Sequence, residues 1–551
     1  MFESWSGYQN QEGAFSPFFV LVPRPADSSM RSTKRQDSRF GRRRRPKGRR
    51  QDVAGQSCSG YHREFQTSTN PVFSPKLAGR CHIIEFVMTR TIIVVAVFCL
   101  SSTLVVAQEA DSEHARKTLE IYERIIEVET AKNLGNVPEV ANYLADQLIA
   151  AGFPKEDIEI LPVGETAALI ARYRGNGSSG KPPILLLGHM DVVEARPEDW
   201  QRPPFELTRD DTYFFARGTI DNKFGVAQLT STFIRLMKEG FVPNRDLIIV
   251  FSGDEESTMT STRVLAYERE DLAEAEFALN SDAGGGDLAA DGKALVYLIQ
   301  AAEKTYVTWE ITVRNQGGHS SRPRPDNAIL DLAKAIVKIQ AHRFPVRWND
   351  MTLEFFEETG AQLGGELGDA MLRFASNPED KSASDRLAIE SSYVGTTRTT
   401  CVVTMLRAGH AENALPQSAT ATVNCRVFPG IPTTEVEKTL RQVAGNDEIE
   451  FEVIYAPTES PVSELREDVR AAISEAVHPR YPEIRLLPYM ESGGTDGMHF
   501  RRAGVPTWAA SGIFMNPNEM FAHGINERVP IKAFYDALDH WSTIIRELAG
   551  E

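Results

Sequence analysis

Cysteine is scarce in this sequence. Five cysteines occur among 551 residues, and only Cys401 and Cys425 lie beyond residue 107. That part of the chain is therefore not a disulfide-rich scaffold, because it can form at most one intramolecular disulfide. The two cysteines lie in consecutive strand-like runs, TTCVVTML and TATVNCRVF, and would face each other if these runs pair antiparallel about a loop near Asn413. One disulfide and two free buried thiols both remain compatible with this spacing.

Most of the chain also lacks an excess of basic residues. Residues 108–551 contain 44 lysines and arginines against 69 aspartates and glutamates, a net charge of −25. Nucleic acid is therefore not an expected partner. Residues 1–87 differ, because they carry a net charge of +8 and include RFGRRRRPKGRR. Their composition is that of an unstructured segment. We interpret residues 1–87 as a non-native or disordered extension, with an arm for anionic surfaces as the alternative.

No apolar run here makes a comfortable membrane span, which needs about 18 residues. The run from Ile92 to Leu100 follows a short basic start at Met88 and precedes small residues that end at Ala107. This layout is typical of a secretory signal peptide over residues 88–107, cleaved after Ala107. It predicts translation from Met88 and a secreted or periplasmic protein without a stable membrane span. An uncleaved anchor is the alternative.

Strand-like and helix-like segments alternate along residues 108–303. Two helical patterns, HARKTLEIYERIIEVE and VPEVANYLADQLIAAGF, come first, and apolar runs such as PILLLG, DLIIVFSG and FALNSD then alternate with helices. This order predicts an α/β fold with a mostly parallel sheet covered by helices on both faces. Residues 304–459 interrupt the pattern with strand-like and helical runs of their own. We therefore predict a main domain formed by 108–303 and 460–551, with an inserted α+β domain over 304–459.

Polar side chains collect where the predicted strands of the main domain end. These positions are His189 and Asp191 after ILLLG, Asp221 in ARGTIDNKFG, Glu255 and Glu256 in SGDEES, and Asp282 after FALNS. The carboxyl ends of parallel strands meet at one edge of a sheet, where ligands bind. One such carboxylate alone would be read as a helix cap, but a group of them repels unless a cation neutralises it.

The ligand types indicate which cation this is. Imidazole and carboxylate with little sulfur favour zinc or another divalent transition ion, whereas calcium and magnesium favour oxygen alone. Glu255 and Glu256 are adjacent and cannot easily point at one ion. They suggest one ligand and one free base.

Eight motifs follow one another along the chain: GHMDVVEA, ARGTIDNKFG, SGDEES, NSDAGG, GGHSSRP, ENALPQSATATVNCRV, GGTDGMHF and AHGINERVP. Their order resembles that of the co-catalytic zinc peptidase family of carboxypeptidase G, aminoacylase and succinyl-diaminopimelate desuccinylase, and the similarity covers residues 109–551. The branch of carboxypeptidase S and N-acyl-amino-acid hydrolases looks most similar, because of TTRTTCVVTML and the enlarged region before it.

The resemblance implies two zinc ions per chain, with cobalt and manganese as alternative metals. It also implies that Glu255 is the general base and that Asp191 supports the histidine of the first metal. One metal would be held by His189, Asp221 and Asp282, and the other by Asp221, Glu256 and His523.

Further residues are implied in and near residues 304–459, which the resemblance identifies as a lid or dimerisation domain. His319 in NQGGHSSRP would reach across a homodimer to stabilise an oxyanion. Asn413 and Arg426 would position the substrate, and Arg426 suits capture of a carboxylate by two hydrogen bonds. Gly493 and Gly494 would line the same pocket. On the residues alone, a surface turn for His319 and a structural salt bridge for Arg426 remain alternatives.

These observations predict a secreted dinuclear zinc metallopeptidase or amidohydrolase. Its substrates would be small peptides or N-acyl amino acids that bear a free carboxylate. The alternatives are an aminopeptidase or dipeptidase of the same family and a non-catalytic ligand-binding member. Glu255 argues against a pure binding protein, which has no use for an unliganded base beside the metals. The enlarged segment over about 344–393 is predicted to be either a substrate lid or a packing element.

Overall fold

The computed structural model describes residues 112–550, so the extension over 1–87 and the signal peptide predicted over 88–107 lie outside the described residues. Within 112–550, no helix has both the length and the apolar character needed to cross a membrane.

The helices of this part of the chain are numbered in chain order. They are α1 (Glu113–Ile126), α2 (Val137–Ala150), α3 (Lys223–Lys238), α4 (Thr260–Tyr267), α5 (Glu270–Ala273), α6 (Ala328–Ala341), α7 (Asp350–Leu363), α8 (Gly365–Ser376), α9 (Lys381–Leu387), α10 (Ser391–Val394), α11 (Thr433–Ala444), α12 (Glu467–Val477), α13 (Gly497–Arg502), α14 (Ile531–Asp536) and α15 (His540–Ala549).

The strands follow the same order. They are β1 (Ile158–Val163), β2 (Thr166–Tyr173), β3 (Ile184–His189), β4 (Thr208–Arg209), β5 (Tyr213–Phe215), β6 (Leu247–Ser252), β7 (Phe277–Asn280), β8 (Gly285–Leu288), β9 (Ala294–Glu303), β10 (Thr305–Arg314), β11 (Gly318–His319), β12 (Thr400–Ala408), β13 (Ala414–Leu415), β14 (Ser418–Val427), β15 (Glu450–Val453), β16 (Leu486–Glu491), β17 (Thr507–Ala509), β18 (Phe514–Met515) and β19 (Arg528–Pro530).

The first sheet has the strand order β1-β2-β6-β3-β7-β17-β9-β8-β18, and β16 also pairs with β9. Its centre, β6-β3-β7-β17, is parallel throughout. Strands β3 and β6 are buried along their whole length, which explains why they appear as unbroken apolar runs. The predicted α/β class with a mostly parallel sheet and covering helices is confirmed, and antiparallel strands are added toward both edges.

The parallel centre brings several strand ends to the same level. His189 at the end of β3 is the register partner of Ser252 at the end of β6. On the other side of β3, Leu187 is the partner of Asn280 at the end of β7. The loops that follow these strands therefore leave the sheet side by side, and they carry the polar residues singled out in the sequence.

A second sheet is formed between Thr305 and Val453, with the order β12-β14-β10-β15 and antiparallel pairing throughout. Its apolar face has a separate core with α6 and α11, which includes Trp309, Leu332 and Leu440. Cys401 and Cys425 are register partners, and a disulfide joins them. The structure thus resolves the two alternatives for these cysteines in favour of the bond.

Helices α7 to α10 form the enlarged segment that precedes β12. Phe356, Met371 and Phe374 make a small core inside it. Helix α7 packs against β16 of the first sheet, and Glu354 of α7 lies 3.7 Å from Arg470 of α12. This segment therefore packs against the first sheet and α12.

Candidate metal centre

The end of β3 lies unusually close to two neighbouring loops. A Cβ atom at Gly188 would stand 2.9 Å from the Oδ1 of Asn222 and 2.9 Å from the Oγ of Ser281. Glycine is therefore required here, because any larger side chain would separate the strands and loops. The close approach brings together the residues next to these three positions, which are His189, Asp221 and Asp282.

These three residues form the first cluster of potential metal ligands. The Nε2 atom of His189 lies 2.9 Å from the Oδ1 of Asp221 and 3.3 Å from the Oδ1 of Asp282. Its Nδ1 atom lies 3.0 Å from the backbone oxygen of Asp191 and 3.5 Å from the Asp191 carboxylate. A proton on Nδ1 would be donated to Asp191, which leaves the Nε2 lone pair facing the two aspartates.

Asp221, Glu256 and His523 form the second cluster. The Nε2 atom of His523 lies 2.8 Å from the Oε1 of Glu256 and 3.0 Å from the Oδ2 of Asp221. Asp221 therefore presents one carboxylate oxygen to each histidine. His523 is the most exposed member, with 53% of its side chain accessible.

Burial makes this collection of charges unfavourable without a cation. It raises the pKa of Glu256, and it raises those of Glu255 and Asp282 well above their usual range, with neighbouring carboxylates adding to the effect. Burial opposes ionisation of Asp221 too, but hydrogen bonds from His189 and His523 lower its pKa. Hydrogen bonds to Asp221 and Glu256 raise the pKa of His523 to about 10.

The donor set fits two divalent metal ions. Each cluster offers one imidazole nitrogen and carboxylate oxygens, a combination that suits zinc and related transition ions. Asp221 belongs to both clusters and would be the shared ligand. Cations would also neutralise the buried carboxylates, which otherwise oppose folding.

Asp191 forms hydrogen bonds next to both clusters. Its Oδ1 accepts a hydrogen bond of 3.0 Å from the backbone N–H of Glu255, and its Oδ2 accepts one of 3.1 Å from that of Glu256. One carboxylate thus fixes two consecutive amides beside His189. The side chain of Glu256 turns to His523, whereas the Glu255 carboxylate makes no hydrogen bond to any residue within 112–550.

His319 and Asn413 lie together elsewhere, in a small two-stranded sheet. His319 in β11 pairs with Ala414 in β13, and the N–H of Ser320 donates to the Asn413 carbonyl at 3.0 Å. The Nδ1 of His319 accepts hydrogen bonds from the N–H and hydroxyl of Ser321. Its side chain is exposed, and it contacts no metal-cluster residue within the described chain.

Arg426 and the two predicted glycines meet at the junction between the sheets. The Nη1 of Arg426 donates to the backbone oxygen of Ser492 at 3.1 Å, directly before Gly493 and Gly494. The guanidinium also lies over the ring of Tyr306, 4.7 Å from its centroid. Within residues 112–550, Arg426 has no carboxylate partner, so a structural salt bridge is not what holds it.

Residues 185–547 match the model of peptidase family M20/M25/M40. The chain belongs to this family. It is 27% identical over 364 residues to the N-fatty-acyl-amino acid synthase/hydrolase of Homo sapiens, covering 64% of this chain and 71% of that protein. It is 26% identical over 456 residues to a probable carboxypeptidase S-like protein of Dictyostelium discoideum, covering 79% of this chain and 86% of that protein.

The fold agrees with that of a solved family member. The M20 metallo-carboxypeptidase of Sulfolobus solfataricus has a TM-score of 0.60 at 20% identity, covering 78% of this chain and 98% of that one. The match to the family model confirms the predicted family, and this M20 member is a metallopeptidase-type hydrolase acting on peptide or other linear amide bonds.

Asp496 and the ion pair of Arg217 with Glu527 were not predicted from the sequence. Asp496 in GGTDGMHF is buried and accepts hydrogen bonds from the hydroxyls of Ser252 and Thr262, and burial raises its pKa to about 6. Arg217 and Glu527 form a buried ion pair between ARGTIDNKFG and AHGINERVP. All three residues lie inside the eight ordered sequence motifs, and only this position in the sequence could have indicated a role for them.

Proposed function

We propose that this protein is an exported dinuclear zinc amidohydrolase that cleaves small peptides or N-acyl amino acids bearing a free carboxylate. One observation carries the proposal. The two oxygens of Asp221 face two different imidazole Nε2 atoms, and Glu255, whose carboxylate has no hydrogen-bond partner in the described chain, directly precedes the potential ligand Glu256.

His189, Asp221 and Asp282 would hold one metal ion, and Asp221, Glu256 and His523 would hold the other. When bound, such ions supply an activated water and polarise the amide carbonyl. The donors agree with zinc, and cobalt or manganese would fit the same set.

Glu255 would transfer the proton. Glu255 is buried, and burial raises its pKa well above the usual range. A carboxylate held at a fixed position in such a site can act as a general base. It would accept the proton of the attacking water and later deliver it to the leaving nitrogen. Asp191 keeps Glu255 in place through the backbone, so the base needs no side-chain partner of its own.

The substrate carboxylate would bind at Arg426. This guanidinium donates only to the backbone oxygen of Ser492 in the described chain, which leaves further N–H groups for a planar anion. Lys304 lies nearby, and its ammonium donates to the backbone oxygen of Arg398 at 2.9 Å and to the hydroxyl of Thr400 at 3.3 Å. Burial, followed by the charge of Arg426, lowers the pKa of Lys304 to about 7. The N–H groups of Arg426 that have no partner in the described chain therefore favour a substrate with a carboxylate.

His319 would contribute from a second copy of the chain. Because Nδ1 accepts from Ser321, the proton of a neutral ring lies on Nε2, which can donate to an oxyanion. The inserted domain offers a surface for a homodimer, since β12 is an edge strand on which Met405 and Leu406 are exposed. Asn413, held beside His319, would reach the same substrate.

A matched substrate series tests the proposal. Residues 108–551, supplied with zinc, should cleave an N-acyl amino acid faster than its C-terminal amide, since only the acid has the carboxylate for Arg426. Metal analysis should find about two zinc ions per chain. Glu255→Gln should keep both ions and lose turnover.

Three results would contradict the proposal. They are a folded protein that binds no metal, a Glu255→Gln variant with full activity, and a requirement for a free substrate amine instead of a free carboxylate. The last result would favour the aminopeptidase or dipeptidase alternative.

A further inference from the structure

The carboxylate of Glu527 lies at the contact between the two loops that carry Asp221 and His523. Glu527 is fully buried, and its backbone oxygen accepts a hydrogen bond of 3.2 Å from the N–H of Ala216. Beside this hydrogen bond, Phe215, which precedes Ala216, pairs with Arg528, which follows Glu527, in strands β5 and β19. The start of the Asp221 loop is therefore held against the backbone on either side of Glu527.

All of the hydrogen bonds of this side chain go to the Asp221 loop. Oε2 accepts from the N–H of Gly218 at 3.1 Å and from the Nη1 of Arg217 at 2.7 Å. Oε1 accepts from the N–H of Ile220 at 2.8 Å and from that of Asp221 at 3.2 Å. Three backbone amides and one guanidinium thus converge on one carboxylate.

Arg217 extends this contact back to the other loop. Its Nη2 donates to the backbone oxygen of His523 at 3.3 Å, while Nη1 pairs with Glu527. The backbone of His523 has a left-handed conformation, with φ of +62°, and its side chain is the most exposed of the metal-cluster residues. Arg217 is thus a buried anchor for a ligand that has little packing of its own.

We propose that Glu527 is a positioning residue that sets the geometry of the second metal cluster. The inference rests on the proposed metal pair. The first cluster also depends on His189 and Asp282, which follow strands β3 and β7. In the second cluster, Glu527 holds Asp221 directly through its backbone N–H and holds His523 indirectly through Arg217. Loss of the carboxylate should therefore weaken the second site more than the first.

Glu527→Gln is the direct test, because glutamine has the same number of non-hydrogen atoms as glutamate and nearly the same shape. A glutamine has one acceptor oxygen, so its NH₂ group must face either Arg217 and Gly218 or Ile220 and Asp221. Residues that support metal ligands typically contribute about 10- to 100-fold to metal affinity. We expect a loss of that size at one of two sites.

The experiment titrates metal-free residues 108–551 with Zn²⁺ at buffered free concentrations and with Co²⁺ followed by its visible spectrum. Wild type should bind two ions. Glu527→Gln should keep the tighter ion and give the cobalt spectrum of His523→Ala at intermediate loading, not that of His189→Ala.

Asp157→Asn is the matched control. It also converts a buried carboxylate that pairs with an arginine, since Asp157 accepts from Arg174 at 2.8 Å. Its position precedes β1, at the far edge of the first sheet. Both of its metal affinities should match wild type.

Equal affinities of Glu527→Gln and wild type would overturn the inference, as would an equal loss at both sites. If Glu527→Gln does not fold, Arg217→Lys replaces it, because lysine cannot bond Glu527 and the His523 carbonyl in the same forked manner. Unchanged binding in Arg217→Lys would then overturn the inference. A wild type that fails to bind two ions would instead refute the proposed function.

Discussion

Removing the disulfide between Cys401 and Cys425 should loosen one edge of the second sheet. Cys401 lies in the edge strand β12, and Cys425 is buried in β14. The neighbouring pair in the same register is Thr400 and Arg426. The bond therefore ties the edge strand to the row that carries the proposed carboxylate-binding residue.

The magnitude follows from the loop that the bond closes. The cysteines are separated by 24 positions in the sequence. The loss of chain entropy in the unfolded state then gives a stabilisation of about 3.5 kcal/mol at 25 °C. This is a large share of the roughly 5–15 kcal/mol by which a domain is usually stable.

The double variant Cys401→Ala/Cys425→Ala in residues 108–551 provides the comparison. Urea denaturation should show a free energy of unfolding lower by about 3.5 kcal/mol for the unit that contains the second sheet. Hydrogen exchange read by mass spectrometry should be faster over Thr400–Ala408 and unchanged over Ile158–Val163, an edge strand of the other sheet. Equal stability and exchange in both proteins, or two free thiols in denatured wild type, would refute the reasoning.

Two further predictions concern the site, and a third concerns the pH dependence of stability. Asp191→Asn leaves only one acceptor oxygen for the two backbone N–H groups of Glu255 and Glu256. Turnover should therefore fall about 10- to 100-fold, while the circular dichroism spectrum stays unchanged. Full turnover in this variant would contradict the role of Asp191. Arg426→Met should raise KM for an N-acyl amino acid about tenfold or more, and an equal rise for its methyl ester would argue against a carboxylate contact. Burial lowers the pKa of His540 to about 3 in the folded protein. Because the unfolded chain binds a proton at this histidine already below about pH 6.5, the free energy of unfolding should fall by about 1.4 kcal/mol per pH unit between pH 6.5 and pH 3. Urea denaturation of His540→Phe should therefore show a shallower loss below pH 6.5, and parallel curves for variant and wild type would count against it.

The parallel centre of the first sheet could be predicted from the sequence because its strands are buried on both faces. Ile184–His189 and Leu247–Ser252 are continuous apolar runs, and such runs need no knowledge of their neighbours. The position of β17 could not be predicted. It has three residues, Thr507–Ala509, and it pairs with β7 and β9 from more than 200 positions away. A strand this short has no periodicity of its own, so only the folded chain determines its place.

The metal ligands could also be predicted from the sequence, whereas the residues that support them could not. Imidazoles and carboxylates directly after apolar strands are unusual enough to be noticed one at a time, and the structure brings all five predicted ligands together. Glu527 and Arg217 act on backbone N–H and C=O groups, which every residue has. Because no residue type identifies such backbone partners, the sequence cannot predict which N–H groups a buried carboxylate in a loop will bind.

The junction between the two sheets determines where Arg426 lies relative to the metal clusters. Glu303 ends β9, accepts hydrogen bonds from the N–H and hydroxyl of Thr495, and pairs with Arg501. Lys304, the next residue, points to the other side and donates to the backbone oxygen of Arg398. Both side chains are buried. Because two consecutive residues hold opposite sides of the junction, the chain cannot rotate there without breaking buried charged contacts, which are costly to lose. The fold therefore fixes the position of Arg426 relative to the metal clusters within one chain, whereas the proposed role of His319 would require a second copy.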